Sequence, residues 1–114
     1  MRSIRDNLQA VQGRIALAAQ ACGRDPREVT LVAVSKTHPA ALVREAWDAG
    51  QRIFGESYVQ EAVAKMDALG DLAIEWHLVG PLQSNKTRLA AERFDWVHSL
   101  ESERIARRLS AQRP

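Results

Sequence analysis

The chain has 114 residues, close to one domain by length, and its 46% apolar and 26% charged residues are typical of a globular protein. This composition excludes a disordered tail, a collagen-like repeat and a coiled coil. Sixteen Lys and Arg are set against fourteen Asp and Glu, and no basic block occurs, so the charge predicts no nucleic-acid partner.

Cysteine content and hydropathy narrow the class of protein further. Cys22 is the only cysteine, so no intrachain disulfide can form, and we expect it to be a small core residue on a helix. No apolar stretch approaches the ~20 residues that a membrane-spanning helix needs. The N-terminal residues include Arg2, Arg5 and Asp6 and lack the apolar region of a signal peptide. We therefore expect a cytoplasmic protein with no membrane partner.

The first predicted element is an amphipathic helix that ends before Gly23. Its apolar stripe consists of Ile4, Leu8, Val11, Ile15, Ala18 and Cys22. Residues 29–34 follow as an apolar, β-branched run that does not alternate, which predicts a strand buried on both faces. Pro39 then begins a second helix over 39–50, since a proline is well tolerated in the first turn.

The same cycle of strand and helix recurs along the rest of the chain. We predict strands at 52–54, 73–79 and 96–98, and helices at 58–69, 84–93 and 101–111. Strands that alternate with helices predict an α/β fold with a parallel sheet. Two architectures remain open: a complete four-stranded doubly wound layer, or half of a (β/α)8 barrel, whose full length is about 250 residues.

Lys36 is the strongest candidate for a functional residue, because in either architecture the site lies at the C-terminal ends of the strands. It directly follows the first predicted strand. Desolvation at such a place favours the neutral amine, which can attack a carbonyl carbon, and this predicts Schiff-base chemistry. The alternative is a strand-terminal lysine whose amine simply reaches solvent. Neither a GxGxxG nor a GxxxxGK[ST] phosphate motif accompanies it.

Weaker candidates follow the second and third strands. Ser57 either caps the next helix or contributes to the site. His77 is either a buried histidine bonded to the backbone or a functional one. The polar loop 80–86 precedes a helix, so it either attracts an anion or forms a plain capped turn. The spacing of His77 from His38 and His98 is not that of metal ligands, so we predict no metal site.

Three segments of the sequence resemble a known family. They are LVAVSKT at 31–37, FGESYVQE at 54–61 and EWHLVGPLQSNK at 75–86, and the resemblance extends in order over essentially the whole chain. They are similar to the pyridoxal-phosphate homeostasis proteins of the YggS/PROSC type, which have the fold of the alanine racemase N-terminal barrel. The resemblance implies a (β/α)8 TIM barrel that carries pyridoxal 5′-phosphate (PLP) as an aldimine on Lys36.

The resemblance also implies roles and departures at particular positions. Ser57 and His77 become expected cofactor-binding residues beside Lys36, with no residue assigned to catalysis. The family usually has Asn where this chain has Ser57, so any contact there must differ or be bridged by water. Residues 1–114 would form the N-terminal half of a single PLP-binding barrel domain, and the strands that hold the cofactor phosphate would follow later.

The implied function is to bind, buffer or deliver PLP without a committed reaction. The alternative is an amino-acid racemase that uses the same lysine, and a small aldolase-like Schiff-base domain is a third possibility. Because four strands leave two sheet edges unpaired, we expect this chain to associate with itself or to fold alongside its missing C-terminal half.

Overall fold

The computed structural model describes residues 3–114, which form five α-helices and four β-strands. The helices are α1 (Ile4–Ala21), α2 (Ala40–Asp48), α3 (Val59–Ala68), α4 (Thr87–Arg93) and α5 (Glu103–Gln112). The strands are β1 (Ala33–Val34), β2 (Ile53–Glu56), β3 (Glu75–Leu78) and β4 (Trp96–Val97). Short 3-10 turns at Pro26–Glu28 and Ser84–Lys86 precede β1 and α4. The predicted order of elements is confirmed.

Helix α1 begins at a capping box and ends one residue earlier than its apolar stripe predicts. The Ser3 hydroxyl accepts a hydrogen bond from the Asp6 amide, while the Asp6 carboxylate accepts one from the Ser3 amide. At the other end Cys22 is the C-cap and is exposed. The expectation that Cys22 is a core residue is wrong, because Cys22 lies at the exposed C-cap position, one residue beyond the end of α1.

The four strands form one parallel sheet in the order β1-β2-β3-β4. The register pairs Val34 with Gly55, and it pairs His77 with both Gly55 and Trp96. The order follows the chain without a reversal, whereas a doubly wound sheet reverses its strand order at one point. The doubly wound alternative therefore does not describe this chain.

Strand β1 is much shorter than the predicted run of 29–34. The side-chain amide of Gln51 donates to the carbonyl oxygens of Leu31 and Ile53, each at 2.8 Å. A side chain therefore takes the place of backbone pairing just before β1, and the regular ladder begins only at Ala33. The apolar composition of 29–34 could not reveal this substitution.

The hydrophobic core lies between one face of the sheet and the helices. Phe54, Trp76 and Leu78 are buried together with Val43 of α2 and Ala62 of α3, and α4 contributes to the same cluster. Phe54 is only 1% exposed, at the centre of this cluster. The helices α2, α3 and α4 thus cover the same side of the sheet.

Among the described residues, the opposite face of the sheet is exposed at its two edge strands. Val34 is 50% exposed and Trp96 58% exposed, and these residues lie on the two edge strands. The prediction that the first strand is buried on both faces is therefore wrong for β1 in residues 3–114. The two strands that carry these exposed apolar side chains are therefore also the two strands whose outer edges are unpaired.

Across residues 3–114 no helix combines the length and the apolar character that crossing a bilayer would require.

Candidate functional site

The C-terminal ends of the four strands meet at one edge of the sheet. The ladder continues one residue beyond β1, β3 and β4, with the Ser35 amide donating to the Gly55 carbonyl at 2.9 Å and the Val79 amide donating to the Glu56 carbonyl at 2.9 Å. His98 likewise donates to the Leu78 carbonyl at 3.0 Å. The loops that carry Lys36, Ser57 and Gly80 therefore begin side by side, as the sequence predicted.

Lys36 occupies a turn immediately after β1, and its side chain is exposed. The turn is closed by the His38 amide, which donates to the Ser35 carbonyl at 3.0 Å. Lys36 takes part in none of the ion pairs formed within residues 3–114. The desolvation that we expected at this position is not supplied by the described part of the chain.

Ser57 lies against the loop that follows β3. A Cβ atom at Gly80 would stand 2.8 Å from the Ser57 carbonyl oxygen and 2.9 Å from the Ser57 Cβ, so only glycine fits this approach. Helix α3 begins at Val59 and has Tyr58 as its N-cap, without a side-chain capping bond. The interpretation of Ser57 as a helix cap is therefore wrong, since it precedes the cap position by one residue.

His77 is buried within β3. Its neighbours in the strand, Trp76 and Leu78, face the helices and the core, whereas His77 lies on the opposite face of the sheet. Its Nδ1 lies 2.7 Å from Nε2 of His98, and its Nε2 lies 2.9 Å from a carboxylate oxygen of Glu75. The ring also stacks on Trp96 with 5.7 Å between centroids. His77 is buried as predicted, but it is bonded to side chains and not to the backbone.

The structure brings the three candidate residues to neighbouring strands without joining them directly. Among the hydrogen bonds of residues 3–114, none links Lys36, Ser57 and His77 to one another. Nor does this part of the chain arrange three or more His, Cys, Asp or Glu side chains as a metal site. The edge therefore presents an exposed amine with polar groups on adjacent strands.

A charged cluster next to the Lys36 turn was not predicted from the sequence. Lys65 of α3 lies 2.9 Å from Glu56 Oε2 and 2.9 Å from Glu61 Oε1. Glu56 is fully buried and Lys65 is 6% exposed. The hydrogen bond from Lys65 lowers the pKa of Glu61 below its ordinary value, and the bond from the Thr37 amide acts in the same direction, while burial opposes both. A lysine on the apolar stripe of a helix, four residues after Glu61, was the available signal.

The fold and site define an α/β protein with an exposed lysine at the carboxyl edge of a parallel sheet. No protein-family model matches the sequence. The pyridoxal phosphate homeostasis protein of Pseudomonas aeruginosa PAO1 is 59% identical over 114 residues, which are 100% of this chain and 50% of the relative. The protein of the same name from Escherichia coli K12 is 56% identical over 117 residues, again 100% of this chain and 50% of the relative.

Solved structures agree with these sequence relatives. PipY of Synechococcus elongatus PCC7942, determined with PLP bound, matches with a TM-score of 0.75 at 54% identity, covering 86% of this chain and 47% of PipY. A protein of unknown function from Bifidobacterium adolescentis matches with a TM-score of 0.88 at 32% identity, covering 96% of this chain and 49% of that protein.

These matches confirm the resemblance found in the sequence. The chain is homologous, over its whole length, to pyridoxal phosphate homeostasis proteins. It spans about half the length of the curated relatives that it matches.

Proposed function

We propose that the protein containing these residues binds PLP through Lys36 and buffers or delivers the cofactor in the cytoplasm. The observation that carries the proposal is the position of Lys36: an exposed amine outside every ion pair of residues 3–114, at the carboxyl edge of a parallel sheet. The names of the homologues and the PLP held by PipY support the choice of this cofactor among carbonyl compounds.

Lys36 fits the cofactor chemically. PLP carries an aldehyde, and the amine nitrogen of Lys36 bonds to the aldehyde carbon while one water molecule leaves. A second lysine near the edge, Lys65, is surrounded by two carboxylates and a carbonyl oxygen and is almost fully buried. The amine of Lys36 is the better placed of the two for covalent attachment.

Ser57 and His77 are proposed to complete this chain's contribution to cofactor binding. Ser57 follows β2 as Lys36 follows β1, and the two strands are neighbours. His77 is buried on the face of the sheet opposite the helices, where its two ring nitrogens are engaged by His98 and Glu75, so its orientation is fixed. In this arrangement Ser57 offers a hydroxyl near the cofactor, and His77 forms part of the wall beneath it.

The architecture that we propose is a (β/α)8 barrel, of which residues 1–114 form the N-terminal half of one domain. The unreversed strand order, the helices on one side and the unpaired edge strands β1 and β4 all support it. The coverage of half of each relative agrees with this division. The later strands would supply the groups that hold the cofactor phosphate.

We place the protein among carriers of PLP and not among PLP enzymes. A racemase of this fold needs a second acid or base on the far side of the cofactor. The only phenol in the chain belongs to Tyr58, which is 55% exposed at the N-cap of α3. The names of the homologues favour homeostasis in the same way.

Equilibrium binding of PLP tests this function. The sample is residues 1–114 joined to the half of the Pseudomonas aeruginosa relative that this chain does not cover, which we call the completed protein. We expect it to retain PLP through dialysis, and we expect Lys36→Ala and Lys36→Arg each to abolish borohydride-reducible attachment. Pyridoxine phosphate, which lacks the aldehyde, serves as the control ligand. Reducible attachment that survives in Lys36→Arg would refute the proposal.

A further inference from the structure

The charged cluster of Glu56, Glu61 and Lys65 contacts the chain on both sides of Lys36. The Lys65 amine donates to the Ser35 carbonyl at 2.6 Å, and the Ser35 hydroxyl donates to the Glu56 carboxylate. On the other side, the Thr37 amide donates to Oε1 of Glu61 at 2.5 Å. The residue before Lys36 and the residue after it are therefore both bonded to the cluster, whereas Lys36 is not.

The backbone conformation of the turn depends on outside support. Thr37 has a φ of 65°, in the left-handed region that a β-branched residue rarely adopts. Such a conformation persists only where the surrounding structure holds it in place. In the described residues the His38 amide also donates to the Ser35 carbonyl, which closes the turn, and the Ser35 amide and hydroxyl donate to the Gly55 carbonyl of β2. None of these bonds involves Thr37 or joins the turn to α3.

The composition of the cluster also indicates a role beyond joining β2 to α3. Two apolar side chains of similar volume stabilise a core about as well as a buried ion pair does, so a buried pair is weak evidence for stability alone. Here the three protons of the Lys65 ammonium are shared among Glu56, Glu61 and the Ser35 carbonyl. Apolar replacements would fill the space but could not bond the Ser35 carbonyl or the Thr37 amide.

We propose that Glu56, Glu61 and Lys65 are positioning residues that fix the Lys36 turn and thereby set the direction of the Lys36 amine. This inference rests on the proposed function of Lys36 and deepens it. The cluster acts through the backbone of Ser35 and Thr37 and touches no cofactor. Its expected effect is to hold the amine in one place before PLP arrives, so that binding does not have to order the turn.

Glu61→Gln is the most informative variant, because the side chain of Glu61 is 31% exposed and its shape is kept while its charge is removed. Asp67→Asn is the matched control, since it removes the same charge from the same helix at the ion pair with Arg93, away from the turn. Both are made in the completed protein. Amide hydrogen exchange at Thr37 is measured first, without PLP, and covalent PLP attachment to Lys36 is measured second.

We expect Glu61→Gln to speed exchange of the Thr37 amide by about tenfold, the factor for one hydrogen bond to a charged acceptor. Exchange in β2 and β3 should stay unchanged, and PLP attachment should weaken by a similar factor. Asp67→Asn should change neither measurement. Ser35→Ala, which removes the hydroxyl contact to Glu56, should move both in the same direction as Glu61→Gln and serves if Glu61→Gln fails to fold.

The inference is overturned if a folded Glu61→Gln protein exchanges the Thr37 amide at the original rate. It is equally overturned if Asp67→Asn weakens PLP attachment as much as Glu61→Gln does. If PLP never attaches to Lys36 in the unmodified protein, the proposed function fails, whereas the exchange of Thr37 still decides whether the cluster holds the turn.

Discussion

The ammonium of Lys65 lies 2.9 Å from Oε2 of Glu56, in a part of the core from which solvent is almost excluded. Glu56 belongs to the last position of β2, and Lys65 lies two turns into α3, so this pair joins the strand to the helix that follows it. A charge buried so deeply is tolerated only while its partner is present. The stability of the fold should therefore depend strongly on the presence of both Glu56 and Lys65.

Removing one partner of this pair should be strongly destabilising. We expect Lys65→Met to lower the free energy of unfolding of the completed protein by about 3–5 kcal/mol, because the Glu56 carboxylate is left buried and unpaired. Urea denaturation measures the change. The double variant Glu56→Leu with Lys65→Met should recover most of the loss. A loss below about 1 kcal/mol, the usual size for an exposed pair, would show that water reaches the cluster.

The lowered pKa of Glu61 predicts a dependence of stability on pH. Hydrogen bonds from Lys65 and from the Thr37 amide favour the ionised carboxylate in the folded state. The stability that ionised Glu61 contributes is complete above its unfolded pKa of about 4.3 and is lost as the pH falls through its lower folded value.

The free energy of unfolding of Glu61→Gln, measured by urea denaturation from pH 6 down to about pH 3, isolates this contribution. The gap between the original protein and the variant should be constant at the higher pH values and should narrow below the unfolded pKa. A gap that widens on acidification would mean that the folded pKa of Glu61 is raised and not lowered.

The order and type of the elements could be predicted from the sequence because each depends on local patterns. The 3–4 spacing of α1 and the Pro39 start of α2 are examples, and both agree with the structure. Features that depend on contacts between distant residues could not be predicted. Gln51 replaces part of the β1 ladder, and residue identity alone gives no sign of it.

In the candidate site, too, some features could be predicted from local sequence, whereas others depend on contacts between distant residues. The position of Lys36 follows from its place after a strand, and its neighbours Ser57 and Gly80 follow from the alignment of parallel strands. The bond between His77 and His98 needs the register of β3 against β4, because the two residues are 21 positions apart. The support of the Lys36 turn by Lys65 needs the helix packed on the sheet, which no spacing rule supplies.

The open edges of the sheet predict self-association of the 114-residue chain. Val34 on β1 and Trp96 on β4 are both at least half exposed, and unpaired edge strands are templates for pairing. We expect light scattering to show oligomers at micromolar concentrations, with PLP held loosely or not at all. Joining the chain to the half of the Pseudomonas aeruginosa relative that it does not cover should abolish the oligomers and restore tight binding of PLP.

Charged substitutions distinguish the edges from other apolar surface. Val34→Lys and Trp96→Lys should reduce the association, whereas Leu17→Lys on α1, at the most exposed large apolar residue of the described chain, should not. A compact monomer of the unmodified chain that unfolds in a sharp thermal transition and binds PLP tightly would refute the prediction.

Catalytic turnover of amino acids is expected to be absent. Since Tyr58 is exposed at the start of α3 and is the only tyrosine, this chain offers no partnered phenol to exchange a proton at an α-carbon. Racemisation of L-alanine by the completed protein, followed by circular dichroism, should proceed no faster than with free PLP. A rate well above that of free PLP, lost in Lys36→Ala, would favour the racemase alternative.

The most direct test of the account is to locate the lysine that PLP modifies. The chain has three lysines: Lys65 is committed to its ion pairs, Lys86 lies in the turn before α4, and Lys36 carries an exposed amine. The completed protein is mixed with PLP, reduced with borohydride, digested and mapped by mass spectrometry. The account predicts a phosphopyridoxyl group on Lys36 at one per chain. A label carried by Lys65 or Lys86, with Lys36 unmodified, would contradict it.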